Sequence, residues 1–160
     1  MTIRVGDRAP AGKFKIMGES GPQDFTTAQL FDGKRVVLFS VPGAFTPTCS
    51  ARHLPGFLEH AAALRAKGVD TIACMAVNDV FVMNAWGQSA NVGAHVLMLA
   101  DGNGEYARAL GLELDARGFG LGMRGQRFAL VVDNGVATQV LVEGPGEFKV
   151  SAADYVLGQI

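Results

Sequence analysis

The stretch Val36–Ser50 reads VVLFSVPGAFTPTCS. Its first part, Val36–Val41, is a continuous and mostly apolar run, which is typical of a strand covered on both faces of a sheet. A loop follows. Pro47, at the end of this loop, is tolerated in the first turn of a helix, because the N–H that proline lacks would have no partner there. The stretch therefore predicts a buried strand, a short loop and a helix that begins close to Cys49.

Further apolar runs alternate with helix-like segments along the chain. The other runs of this kind are Asp70–Val77, His95–Ala100 and Phe128–Asp133. The segments long enough for a helix are Pro55–Lys67, Val80–Asn91 and Gly104–Leu110. This βαβ alternation predicts a central sheet with helices on its faces.

The C-terminal part adds an antiparallel strand to this sheet. The Asn-Gly step at 134–135 supplies the positive backbone φ of a tight hairpin, so Val136–Glu143 should return beside Phe128–Asp133. Ser151 predicts the cap of a last helix that runs to Ile160. The predicted fold class is a three-layer α/β/α sandwich with a mixed central sheet.

Length and composition limit the functions to consider. The chain has 160 residues, so we expect one domain over residues 1–160. A formal net charge of -1 does not favour a nucleic-acid partner. Neither end resembles a signal segment, and no apolar run approaches the roughly 20 residues that cross a bilayer, so no membrane partner is expected. The two cysteines, Cys49 and Cys74, are too few for a disulfide scaffold, which favours a reducing compartment and a cytoplasmic location.

Cys49 is the first candidate for chemistry. The helix beside it can be capped by Thr46 or Thr48, and the unpaired N–H groups and dipole of that helix point toward the sulfur. Such a place favours thiolate over thiol and suits a nucleophile. The alternative is that Cys49 is a small buried hydrophobe, as free cysteines often are. Cys74 lies within an apolar strand, which predicts a buried structural thiol.

Three segments carry a family resemblance. VPGAFTPTCS (Val41–Ser50) fits PxxxTxxC, the active-site pattern of peroxiredoxins, and with the following ARHLPGF it resembles the Prx5 subfamily, also called type II or atypical peroxiredoxins. GVDTIACMAVNDVFVMNAW (Gly68–Trp86) and RFALVVDNG (Arg127–Gly135) are similar to the same subfamily. The resemblance implies a thioredoxin-like fold and a thiol-specific peroxidase that reduces hydrogen peroxide and organic hydroperoxides.

The resemblance also implies roles for individual residues. Cys49 becomes the peroxidatic cysteine, with Arg127 as the cation beside its sulfur. Thr46 supplies a hydroxyl that hydrogen-bonds the peroxide, and Pro42 acts as a shield. The chemistry needs such groups, because the thiolate attacks one peroxide oxygen while the other leaves with growing negative charge. Arg127 offers a forked set of charged donors, and N–H groups at the helix start can act as an oxyanion hole. Neither a cofactor nor a metal is expected.

The sequence departs from part of this subfamily after the last hairpin strand. Some members carry a resolving cysteine there, whereas this chain reads GPGEFKVSAAD (Gly144–Asp154), with Ser151 near the expected position. We therefore expect a one-cysteine cycle, in which an external thiol reduces the sulfenic acid of Cys49. The reductant is either glutathione with glutaredoxin or thioredoxin, and the resemblance to members without the resolving cysteine favours glutathione and glutaredoxin.

His53 lies four residues after Cys49, a spacing that would suit a Cys–His pair on one face of a helix. Pro55 makes that helix irregular, and a thiolate stabilised by Arg127 and the helix terminus has little need of a base. We therefore expect His53 to pack or to form hydrogen bonds rather than to take a proton.

Aromatic and glycine-rich positions leave other interpretations open. Some of four aromatic residues could form a homodimer interface near the active-site loop, or all could be core residues: Phe45, Phe81, Trp86 and Phe119. GFGLGMRG (Gly118–Gly125) is not a dinucleotide fingerprint, because a strand and not a helix follows it, and it predicts a mobile loop.

Two other functions are alternatives to the peroxidase. A thiol–disulfide oxidoreductase would need a CxxC pair, which the chain lacks. A peroxide sensor or redox-regulated holdase would use the same Cys49 and is compatible with the sequence.

Overall fold

A computed structural model describes residues 1–160. The strands are β1 Lys13–Gly18, β2 Gly21–Thr26, β3 Arg35–Ser40, β4 Thr71–Ala76, β5 Leu97–Ala100, β6 Glu113–Asp115, β7 Met123–Gly125, β8 Phe128–Asp133 and β9 Val136–Val142. The α-helices are α1 Thr27–Phe31, α2 Leu54–Glu59, α3 Ala61–Ala66, α4 Val80–Ser89, α5 Glu105–Leu110 and α6 Ala153–Gly158. A π-helical segment, Cys49–His53, leads into α2, and a 3₁₀ turn, Arg117–Phe119, lies between β6 and β7.

Seven strands form one mixed sheet in the order β2-β1-β5-β4-β3-β8-β9. Strand β4 runs parallel to both β3 and β5, whereas β8 pairs with β3 and β9 in antiparallel fashion. The register places Ser40, at the end of β3, opposite Phe128, at the start of β8. The loop that leaves β3 and the residue that precedes β8 therefore meet at the same end of the sheet.

The central strands of the sheet are buried on both faces, which explains their continuous apolar runs. In β3, Val37 and Phe39 join the core beneath α2, α3, α4 and α6, whereas Val36 and Leu38 join the core beneath α1 and α5. Successive side chains of a strand point to opposite faces, so a strand between two layers must be apolar throughout. The predicted three-layer sandwich with a mixed sheet is confirmed. None of the helices has the length and apolar character that crossing a bilayer requires.

The first hairpin, β1–β2, is absent from the sequence prediction. Phe14 is the one buried residue of β1, and β2 has none, so no apolar run marks either strand. The hairpin extends the sheet at its edge, where Lys15 pairs with Ala100 of β5. The segment Gly118–Gly125 also differs from the predicted mobile loop, because its end forms β7 and pairs with β6.

Two predicted helix caps are wrong. Ser151 does not cap α6: Ala152 occupies the N-cap, and Ser151 donates hydrogen bonds to Glu143 instead. Thr48 precedes the π-helical segment without a side-chain cap, and the hydroxyl of Thr46 donates to the Gly43 carbonyl. In both places the hydroxyl donates to a loop or tertiary acceptor, and its oxygen accepts no hydrogen bond from the start of the helix.

Candidate active site

Cys49 lies where the chain enters a helix after the loop that leaves β3. Helical geometry begins at Pro47, as the sequence predicts, and becomes π-helical at Cys49. The backbone N–H groups of Thr48 and Cys49 donate to no backbone acceptor. Free donors and the positive end of the helix dipole favour negative charge at this position.

Arg127 brings a permanent positive charge to the sulfur. Its Nη2 lies 3.1 Å from Cys49 Sγ, although the two residues are 78 positions apart in the chain. The pairing of β3 with β8 explains this contact, because it carries Arg127 to the end of the sheet from which the Cys49 loop departs. A guanidinium presents several donors in a fixed fork, so it can hold the sulfur and bind other groups as well.

One of those other groups is His53. Its Nδ1 lies 2.9 Å from Arg127 Nη1, and its Nε2 lies 3.0 Å from the Ser151 carbonyl oxygen. Because a guanidinium only donates, Nδ1 must accept and Nε2–H must donate. Burial first, and then the charge of Arg127, lower the pKa of His53 to about 3. His53 is therefore neutral at pH 7 and orients Arg127, in agreement with the predicted hydrogen-bonding role.

Glu143 fixes the carbonyl to which His53 donates. Its Oε2 accepts from the N–H and the hydroxyl of Ser151, over 2.9 Å and 2.6 Å, and from the N–H of Lys149 over 2.7 Å. Burial raises the pKa of Glu143, but these hydrogen bonds outweigh that effect and the net pKa lies below its usual range. An ionised Glu143 thus supports a chain of contacts that runs through Ser151, His53 and Arg127 to Cys49.

The loop before Cys49 is held by hydrogen bonds at both ends. Thr46 Oγ1 donates to the Gly43 carbonyl over 2.7 Å. Arg124 Nη1 donates to the Pro42 carbonyl over 3.2 Å, and a Cβ at Gly43 would lie 2.9 Å from the same Nη1. Glycine at this position therefore allows Arg124 to approach the loop.

Asn78, which follows the neighbouring strand β4, binds the same loop. Its Oδ1 accepts from the N–H of Ala44 over 2.9 Å. The following residue, Phe45, has a φ of 63°, which non-glycine residues seldom adopt. The loop thus keeps an unusual backbone conformation between two anchored residues.

A cavity of about 480 Å³ opens beside this cluster. Its lining includes Pro42, Thr48, Arg52 and Arg127, together with Gly144–Phe148. Cys49 itself is fully buried. Thr48, its neighbour in the chain, and Arg127, its hydrogen-bond partner, both line the cavity. A small molecule that enters the cavity therefore meets the groups that surround the sulfur.

Cys74 is placed differently from Cys49. It lies on β4 opposite Phe39 of β3 and is fully buried. Burial raises the pKa of the Cys74 thiol well above its usual range, so this thiol stays protonated at neutral pH. The predicted buried thiol is confirmed.

The four aromatic residues separate into two groups. Trp86 is buried, and its Nε1 donates to Ser50 Oγ over 3.0 Å. Phe45, Phe81 and Phe119 are 54%, 63% and 85% exposed. Trp86 is therefore a core residue, while the three phenylalanines are available to a partner.

The structure brings together Cys49 and Arg127 and places Pro42 and Thr46 in the loop beside them. Sequence reasoning missed Asn78, Arg124 and Glu143. Asn78 could have been found, because it follows β4 and parallel strands end at the same edge of a sheet. No local pattern marks Arg124 or Glu143, whose contacts are set by tertiary structure.

Comparison with known proteins agrees with this geometry. A family model described as Redoxin matches residues 4–157. Peroxiredoxin-2B of Arabidopsis thaliana is 51% identical over 156 residues, which cover 97% of this chain and 96% of that protein. The crystal structure of reduced Prx3 from Vibrio vulnificus in complex with hydrogen peroxide has a TM-score of 0.95, 49% identity and 99% coverage of both chains. Peroxiredoxin 5 from Alvinella pompejana has a TM-score of 0.86, 35% identity and coverage of 97% and 96%.

The fold and these relatives define a thiol-dependent peroxidase with a thioredoxin-like fold. The chain belongs to the redoxin family and, within it, to the Prx5-like or type II peroxiredoxins. Peroxides are the substrates of this class, and a thiol supplies the electrons. The predicted fold, family and activity are confirmed.

Proposed function

We propose that this peroxiredoxin reduces hydroperoxides at Cys49 in a one-cysteine cycle that an external thiol completes. The observation that carries the proposal is the 3.1 Å contact from Arg127 Nη2 to Cys49 Sγ, at a helix start whose N–H groups are free. A guanidinium and unpaired N–H groups stabilise both the thiolate and the charge that develops on peroxide oxygens.

In the first step the thiolate sulfur of Cys49 attacks one oxygen of the hydroperoxide. The sulfur–oxygen bond forms as the oxygen–oxygen bond breaks, and the second oxygen leaves with the electron pair. That oxygen takes up a proton and departs as water or an alcohol, while Cys49 becomes a sulfenic acid. Arg127 and the helix N–H groups act as donors to the oxygens during this displacement.

Thr46 and Pro42 complete the proposed peroxide site. The hydroxyl proton of Thr46 is committed to the Gly43 carbonyl, which leaves the oxygen lone pairs to accept the peroxide O–H. Pro42 has no N–H and lines the cavity, so we assign to it the role of a shield that limits the access of water to the sulfur. His53 is a positioning residue that keeps the Arg127 guanidinium in place.

The second half of the cycle needs a thiol from another molecule. Cys74 is buried and held protonated, and Ser151 stands in the segment where other members carry a resolving cysteine. The sulfenic acid of Cys49 condenses with an external thiol, so a mixed disulfide forms and water leaves. A second thiol then releases Cys49 and departs as part of a disulfide. We assign these thiols to glutathione with glutaredoxin in preference to thioredoxin.

We also infer a homodimer and a cytoplasmic location. Phe45, Phe81 and Phe119 are exposed, and aromatic residues are enriched in the cores of interfaces. Two free cysteines are consistent with a reducing compartment. Sedimentation of the purified protein and of Phe81→Glu tests the dimer, because a charge in the interface should shift the protein toward monomer. A wild-type protein that sediments as a monomer would refute it.

Steady-state peroxide consumption tests the proposed cycle. The purified protein should consume hydrogen peroxide continuously with glutathione and glutaredoxin, and more slowly with thioredoxin. The Cys49→Ser variant should consume none. A protein that oxidises once and then stops with every reductant would instead be a peroxide sensor or holdase.

A further inference from the structure

The cavity beside Cys49 contains one charged side chain that has no partner. Four charged residues line it: Arg52, Arg127, Glu143 and Glu147. Arg127 binds Cys49 and His53, and Glu143 accepts from Lys149 and Ser151. Glu147 pairs with Lys149, Oε2 to Nζ over 2.6 Å. Arg52 alone forms neither an ion pair nor a hydrogen bond with the protein.

The guanidinium of Arg52 is nevertheless held in place. Its Cζ lies 4.6 Å from the ring centroid of Phe148. The same ring packs edge-on against His53, with centroids 5.0 Å apart, and lies 5.8 Å from Arg127 Cζ. Stacking on an aromatic ring orders a guanidinium while its N–H donors stay free. Arg52 is thus a positioned but unused cation next to the catalytic group.

A free guanidinium fork matches a carboxylate, to which it can donate two parallel hydrogen bonds. Hydrogen peroxide is neutral and has no anionic group for such a fork to bind. The cavity volume of about 480 Å³ is in the range of small-molecule sites. We propose that Arg52 binds the carboxylate of a small thiol reductant while the sulfur of that thiol approaches the sulfenic acid of Cys49.

This inference rests on the proposed one-cysteine cycle and adds a binding site to it. The reaction at the site is the condensation described above: the thiol sulfur bonds to Cys49 Sγ, and the sulfenic oxygen leaves as water with the thiol proton and its own. Arg52 takes no part in the electron transfer. It raises the rate by keeping the thiol next to the sulfenic acid.

The reduction step can be measured by itself. The protein is oxidised with one equivalent of hydrogen peroxide and mixed in a stopped-flow instrument with glutathione, which has carboxylates, or with 2-mercaptoethanol, which has none. Arg52→Gln should lower the second-order rate constant with glutathione by roughly 10-fold to 100-fold, as the loss of a charge-assisted hydrogen bond does. The rate with 2-mercaptoethanol and the rate of oxidation by hydrogen peroxide should not change.

Two controls separate binding from a change in net charge. Arg4→Gln removes the same charge from an exposed residue that does not line the cavity, and it should leave all rates unchanged. Arg52→Lys should retain part of the glutathione rate. Added salt should slow the wild-type reaction with glutathione and have little effect on the variant, because exposed charges are screened.

Several results would overturn the inference. Arg52→Gln could leave the glutathione rate unchanged, or it could slow both thiols equally, which would indicate a general disturbance of the site. It could also slow oxidation by a fatty-acid hydroperoxide and not reduction by glutathione, which would assign the cation to the peroxide. If wild-type sulfenic acid reacts with thioredoxin and not with glutathione, the proposed reductant itself is wrong.

Discussion

His53 accepts a hydrogen bond from Arg127, with Nδ1 and Nη1 2.9 Å apart. The imidazole is itself fixed through Nε2–H, which donates to the Ser151 carbonyl. The guanidinium is therefore oriented toward Cys49 before a peroxide arrives. Donors that are oriented in advance stabilise developing charge without a cost of reorganisation at the moment of reaction.

Replacement of Arg127 distinguishes transition-state stabilisation from simple ionisation of the thiol. Arg127→Gln should lower the second-order rate constant with hydrogen peroxide by roughly 10-fold to 1000-fold, as the loss of an electrostatic donor does in other enzymes. Because the donor acts on the peroxide oxygens, the variant should stay slow when Cys49 is fully ionised. Stopped-flow rates at several pH values measure this. Recovery to near the wild-type rate at high pH would mean that Arg127 only ionises the thiol.

The neutral state of His53 predicts how stability depends on pH. Its pKa is about 3 in the native protein, against an ordinary value of 6.5. Below the ordinary value the unfolded chain takes up a proton that the native protein excludes, so His53 should reduce stability as the pH falls from 6.5 toward 3. The slope from this group is at most about 1.4 kcal/mol per pH unit.

Urea unfolding at pH 7, 6 and 5 measures this dependence. His53→Gln should show a smaller loss of stability with acid than the wild type, although it is less stable at pH 7. His60→Gln serves as the control, because His60 is less buried and its side chain bonds only to the carbonyl of Gly56, four residues earlier in the chain. Equal slopes for the wild type and His53→Gln would contradict the prediction.

The two cysteines should differ in their effects on turnover. Cys74→Ser should retain most of the activity, because a protonated thiol buried between strands takes no part in the proposed cycle. Cys49→Ser should have none. Mass spectrometry after one equivalent of peroxide should find a sulfenic acid at Cys49, and a disulfide that joins Cys49 to Cys74 would rule out the one-cysteine cycle.

Gly43 tests whether the loop geometry matters for peroxide binding. An alanine Cβ at this position would lie 2.9 Å from Arg124 Nη1 and 3.2 Å from Thr46 Cγ2, so the Arg124 guanidinium and the Thr46 side chain must move away from it. Gly43→Ala should lower the peroxide rate by roughly 10-fold to 100-fold, because small displacements of positioned groups are costly. Gly118→Ala, where a Cβ meets nothing within 4 Å, is the matched control. Wild-type rates in a folded Gly43→Ala protein would show that peroxide reduction does not depend on this packing.

The sequence predicts the centre of the sheet better than its edges. Phe128–Asp133 agrees with β8 residue by residue, because a strand buried on both faces must be apolar along its whole length. The edge strand β2 is exposed or half-buried, so hydrophobic pattern does not mark it. Ser151 precedes a helix as a cap would, but its hydroxyl contacts Glu143, a partner that no local pattern identifies.

The same limit applies to the site. The place of Cys49 at a helix start follows from Val36–Ser50 alone. The contact between Cys49 and Arg127 depends on the order of the strands in the sheet. In the sequence, only the family resemblance indicates this contact. Arg124 and Glu143 belong to segments whose local sequence contains no signal, since their partners, Pro42 and Ser151, are selected by the assembled sheet.

The antiparallel pairing of β3 with β8 has a consequence for biosynthesis. Cys49 and Arg127 are 78 residues apart, and all of β4, α4 and β5 lie between them. A chain that has emerged from the ribosome only as far as β5 therefore contains the thiol but not its cation. Contacts of such long range form late, after the entropy of closing the intervening loop has been overcome. Rapid reaction with peroxide should thus appear only when the chain is complete and folded, so that partly synthesised chains are spared oxidation at Cys49.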